Sequence, residues 1–60
     1  MIIIESEGSL LSFRQEDISF VGIKSNSNNV DVILKNGETV TVRASDRGSA
    51  NSIFHRLISE

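Results

Sequence analysis

Residues 30–44, VDVILKNGETVTVRA, restrict the fold more than any other stretch of the chain. Two segments of alternating apolar and polar residues flank Asn36-Gly37, the strongest short-range signal for a β-hairpin. The register follows from burial. A two-residue Asn36-Gly37 loop pairs Ile33 with Val40 and Asp31 with Val42, which puts Val40 and Val42 on the face opposite Val30, Val32 and Leu34. A three-residue loop, Lys35-Asn36-Gly37, pairs Leu34 with Glu38, Val32 with Val40 and Val30 with Val42. The valines then share one face, and Asp31, Thr39, Thr41 and Arg43 share the other. A one-residue slip flips every side chain across the sheet, so burial of the valines selects the three-residue loop. Such a loop wants glycine last, in the left-handed conformation of a G1 bulge, and Gly37 stands there.

The C-terminal segment changes period. Ala50, Ile53, Phe54, Leu57 and Ile58 recur at i, i+3, i+4, i+7 and i+8, the stripe of an amphipathic helix. Ser45, Asp46 or Ser49 is placed to cap it, and Gly48 argues for a well-formed start near Ser49. Three turns are too few to stand alone, so the stripe is expected on the valine face, with Phe54 and Leu57 at its centre.

Upstream, residues 1–5, MIIIE, are apolar on both faces of a strand. That pattern marks a central strand, or one whose second face is covered by a partner chain. Ser6-Glu7-Gly8-Ser9 reads as a turn, residues 10–13 as a short return strand and residues 14–17 as a second turn. Residues 18–24, ISFVGIK, form the next strand. Gly22 within it points to a bulge or a close backbone approach. A bulge near Phe20 sends Ile18, Val21 and Ile23 to the core and Phe20 to the other face, and is the favoured reading. Residues 25–29, SNSNN, are a polar loop. The expected architecture is α+β: one domain over residues 1–60, with a small antiparallel sheet of about four strands and one C-terminal helix packed on one face.

The pattern Ile18-x-x-Val21-x-Ile23, then VDVILKNGETVTV, then Ala50-x-x-Ile53-Phe54-x-x-Leu57-Ile58 resembles many short uncharacterised bacterial and phage proteins, usually left as hypothetical, with a β-meander followed by a C-terminal helix. The resemblance spans about residues 18–58. It implies the fold and a prophage or other mobile-element setting, and it carries no functional residue across.

Composition narrows the function classes. A 60-residue chain buries only about 60% of its unfolded surface and is marginal without further support. With no cysteine and one histidine, disulfides and thiolate metal sites are excluded and a structural metal is not expected. Oligomerisation is the remaining aid. The net charge of -2 gives no electrostatic argument for nucleic acid. No stretch resembles a membrane span or a signal peptide, and a cytoplasmic location is expected.

Chemistry-bearing residues are few. His55 lies beside the apolar stripe with no second catalytic group placed by spacing, so a helix-surface histidine is the plainer reading. Glu5 with Glu7, and Glu16 with Asp17, read as solvated turn charges. Ten serines include no nucleophile-elbow sequence. Asp46-Arg47-Gly48-Ser49 reads as a cap and turn rather than an anion site. No enzyme activity and no cofactor are expected. Ile3, Phe20 and Ile33 are expected to form an apolar interaction surface on the sheet face away from the helix, with a second copy of the chain or another protein as partner. That makes the chain a non-catalytic protein-binding module, a small regulator or inhibitor, homodimeric or a larger homo-oligomer. The alternative is a weak nucleic-acid binder using Lys35, Arg43, Arg47 and Arg56.

Overall fold

The computed structural model describes residues 1–59. In chain order it contains β1 (Ile2–Ser6), β2 (Ser9–Phe13), a 3-10 turn (Gln15–Asp17), β3 (Ile18–Ile23), β4 (Asn29–Leu34), β5 (Thr39–Arg43) and α1 (Arg47–Ser59). The class is α+β with antiparallel pairing throughout and the helix against the sheet. The strands divide into a two-stranded sheet, β1-β2, and a three-stranded sheet, β3-β4-β5. A single sheet of about four strands was the expectation. The division arises because β1 and β2 close on each other through a tight turn. The 3-10 turn at Gln15–Asp17 then re-aims the chain before β3 begins.

The central hairpin has the register that buries its valines. Val30 faces Val42 and Val32 faces Val40. The loop is closed by Leu34 N–H donating to Glu38 O at 2.8 Å and Gly37 N–H donating to Leu34 O at 2.9 Å. Gly37 has φ 95°, a conformation that a side chain at this position would strain. On the other side of β4, Ile18 faces Leu34 while Phe20 faces Ile33, so the register shifts by one residue at Ser19. This bulge turns Ile18, Val21 and Ile23 onto the core side and leaves Phe20 exposed.

Eight side chains make the core: Ile2, Ile4, Phe13, Val30, Val32, Val42, Ala50 and Leu57. The helix packs chiefly on β3, then on β4 and β1, and the β1-β2 hairpin carries Ile2, Ile4 and Phe13 into the same cluster. β1 is not a central strand, since its one ladder partner is β2. The alternation is resolved instead by burying Ile2 and Ile4 and exposing Ile3.

Two expectations for the helix need correction. It begins at Arg47, not near Ser49, because Asp46 supplies the cap: its Oδ1 accepts Ser49 N–H at 2.7 Å and its backbone oxygen accepts Ala50 N–H at 3.0 Å. Gly48 is therefore held in the first turn by its neighbours. The buried helix residues are Ala50 and Leu57, whereas Phe54 is only half-buried. At about 100° per residue, Ala50 and Leu57 nearly coincide in direction and Ile53 flanks them on one side. Phe54 falls on the opposite flank and Ile58 beyond it, so Ile58 is exposed and the Phe54 ring meets His55 edge-on, with centroids 5.6 Å apart.

Candidate interaction surface

The most exposed apolar group lies on the β1-β2 hairpin. Its register pairs Ile2 with Phe13, Ile4 with Leu11 and Ser6 with Ser9 on one face, and Ile3 with Ser12 and Glu5 with Leu10 on the other. The first face is in the core. The second carries Leu10 at 74% exposure and Ile3 at 53%, with Met1 at 73% beside them in sequence alternation. The turn has two residues, Glu7 at φ 50° and Gly8 at φ 81°, and positive φ at both central positions is the type I′ geometry. In such a hairpin the residues flanking the turn exchange backbone hydrogen bonds. Strict alternation then aims the N–H and C=O groups of Leu10 and Ser12 away from β1.

Those groups face an edge with no ladder partner among the described residues. Residues 9–13, SLLSF, hold no charge and no proline, and the β1-β2 register runs without a shift. Sheet edges are ordinarily blunted by one of these devices, and the other three edges have one. On β1 it is the exposed charge of Glu5. On β3 it is the bulge at Ser19, whose hydroxyl donates to Ile33 O at 3.3 Å. On β5 the end of the edge is filled by Ser6, whose Oγ accepts Arg43 N–H and donates to Arg43 O, both at 3.1 Å. Among the described residues, β2 alone is left bare.

The three residues expected to share one apolar surface do not meet. Phe20 and Ile33 are cross-strand partners on the outer face of the larger sheet, Phe20 at 53% exposure and Ile33 half-buried. Ile3 belongs to the other sheet. The rest of the outer face is polar, with Thr41 Oγ1 donating to Asp31 Oδ1 at 3.4 Å.

The four basic candidates are also dispersed. Lys35 sits in the β4-β5 loop, while Arg43 closes β5 at the far end of the same hairpin. Arg43 pairs with Glu7 at 3.4 Å. Arg47 spends its guanidinium within the chain: Nη1 donates to Lys24 O and Ser27 O, both at 3.1 Å, and Nη2 donates to Ser25 O at 3.0 Å. It thereby ties the β3-β4 loop to the first turn of the helix. Arg56 is exposed in the last turn, and Gln15 Nε2 donates to Leu57 O at 3.1 Å beside it.

Elsewhere the surface offers little chemistry. His55 is exposed on the helix. Glu5 and Glu7 are exposed, as are Glu16 and Asp17 in the 3-10 turn. No three His, Cys, Asp or Glu side chains gather as a metal site among the described residues. The hydrogen bonds from the Ser49 backbone, and then from its side chain, hold the Asp46 carboxyl below its ordinary range. Both sources are the helix cap, so the shift belongs to the fold. No helix among the described residues is long and apolar enough to cross a membrane.

The edge residues Leu10 and Ser12 were missed in sequence because residues 10–13 read only as a short apolar return strand. Glu7-Gly8 was the available signal: a two-residue turn there sets the pairing of every residue in the hairpin and shows which face Leu10 takes. Compared with family models, with curated proteins and with solved structures, the chain matches none.

Proposed function

We propose that this chain is a non-catalytic protein-binding module whose partner is a second copy of itself, joined edge to edge through β2. The observation that carries this reading is the bare β2 edge beside the exposed Met1, Ile3 and Leu10. An antiparallel copy pairs Leu10 of one chain with Ser12 of the other, twice, and Leu11 meets its own copy on the two-fold axis. Leu11 is half-buried against the core, so the contact extends that core across the axis. The resulting four-stranded sheet covers the unpaired backbone groups that the monomer leaves to water.

The scale of the contact sets the affinity class. A standard interface takes about 800 Å² from each partner, and the chain exposes 3968 Å². A five-residue edge with three apolar side chains falls below that standard, in the range of weak and transient association. Nucleic acid has less support, because Arg47 is occupied by three carbonyl oxygens and Arg43 by Glu7.

The test is sedimentation velocity over micromolar to millimolar concentration. Ser12→Pro removes an edge N–H that β1 does not use, and Leu10→Lys puts a charge on the edge. Both are expected to shift the wild-type equilibrium to monomer with the circular dichroism spectrum retained. Ile33→Asp, on the other sheet, is expected to leave association intact. A wild type that stays monomeric throughout, or loss of association in Ile33→Asp alone, overturns the reading.

A further inference from the structure

We propose that Asn36 is a latent deamidation site which the folded β4-β5 loop holds closed, so that modification there records opening of the hairpin. In this reaction the Gly37 backbone nitrogen gives up its proton and attacks Asn36 Cγ. The new N–C bond closes a succinimide ring, the Cγ–Nδ2 bond breaks, and the nitrogen leaves as ammonia. Water then adds to either ring carbonyl, which yields aspartate or isoaspartate. A glycine after asparagine favours the attack because no side chain obstructs the approach. Asn36 and Gly37 are both exposed, so sequence and exposure alone predict rapid loss of the amide.

The geometry of the loop opposes it at both reacting groups. Gly37 N–H donates to Leu34 O at 2.9 Å, so the nucleophilic nitrogen is engaged across the loop with its proton held. Asn36 Oδ1 accepts Glu38 N–H at 2.9 Å and Asn36 Nδ2 donates to Glu38 Oε1 at 3.4 Å. The side-chain amide is thereby fixed on residue 38, and Leu34 N–H to Glu38 O at 2.8 Å closes the loop around it. Ring closure requires these bonds to open first, and its rate follows the fraction of time that they are open.

The product does not refit the loop. An aspartate at this position no longer has an N–H to give Glu38, and it sets a second carboxylate beside the first. Isoaspartate adds a methylene to the backbone of a loop whose register depends on three residues ending at Gly37. Each opening that ends in chemistry is therefore retained, and each modification adds one negative charge to a chain of net charge -2.

The experiment incubates the full chain in mildly alkaline buffer, native and in urea, and follows the Asn36 peptide by mass spectrometry with isoaspartate quantified. An excised peptide of the loop, with and without urea, isolates any effect of urea on the chemistry itself. The native chain is expected to react at least about tenfold more slowly than the unfolded one. Val42→Ala, which weakens the hairpin core, is expected to react at an intermediate rate under native conditions. If that variant fails to fold, the native and unfolded wild-type rates decide alone. A native rate within tenfold of the unfolded rate, after the peptide correction, overturns the proposal. The outcome is independent of self-association through β2, which lies on the other sheet.

Discussion

The ring of Phe20 lies across Gly22: a Cβ placed on Gly22 would fall 3.0 Å from two carbons of that ring. Both residues lie past the bulge at Ser19 in regular register, so strand alternation puts them on one face, where Gly22 offers only backbone. The glycine thus has a packing role in the middle of a strand, where it is otherwise unfavourable by roughly 0.5–1 kcal/mol.

A double-mutant cycle tests that relationship. Gly22→Ala gains strand propensity but pushes away a ring that is free to swing, since its outer side is in solvent. We expect a net change within about 0.5 kcal/mol. Phe20→Ala loses the contact outright. The two are expected to couple by about 0.5 kcal/mol or more in urea unfolding, as touching residues do. Additive effects would mean that the ring does not rest on the glycine in solution.

The helix makes a second, ranked prediction. Leu57 is 1% exposed in the core, and Leu57→Ala is expected to cost about 2–5 kcal/mol. Phe54 is the larger side chain but flanks the buried stripe, so Phe54→Ala is expected to cost less than Leu57→Ala. For a domain this small, total stability is on the order of 3–9 kcal/mol, so the leucine variant is expected to be largely unfolded at elevated temperature while the phenylalanine variant is not. Thermal unfolding of both decides it, and the reverse ranking would mean that the helix docks rotated towards Phe54.

Acid sensitivity follows from the helix cap. The Asp46 carboxyl is depressed from its ordinary value of 3.8 by its hydrogen bonds from Ser49. A carboxyl whose folded pKa is lowered favours the native state above the unfolded value, and that contribution disappears as pH falls through the folded one. The helical signal of the wild type is therefore expected to weaken below about pH 4. Asp46→Asn, which caps without titrating, is expected to lose this component of the acid response. An identical pH profile in the two proteins would show that the capping carboxylate does not contribute.

Local patterns in the sequence were enough for the elements that stand on near neighbours. The valine alternation and Gly37 determined the β4-β5 register, since only one loop length buries Val30, Val32, Val40 and Val42 together. Gly22 within an apolar run marked the bulge, and the period of Ala50, Ile53 and Leu57 marked the helix. Each of these depends on spacing along the chain and on the sign of one side chain's preference for water. What tertiary structure alone decided concerns relative orientation. The rotation of α1 that buries Ala50 and leaves Phe54 on the flank depends on where the hairpin sits, because Ile2, Ile4 and Phe13 occupy part of the same core. The capture of Arg47 by three carbonyls and the filling of the β5 edge by Ser6 link residues 20 to 37 positions apart. The separation of Ile3 from Phe20 and Ile33 depends on a second sheet forming at all. Periodicity assigns a residue to a face of its own strand or helix, but which faces are brought together is settled by how the strands and the helix fill one small core.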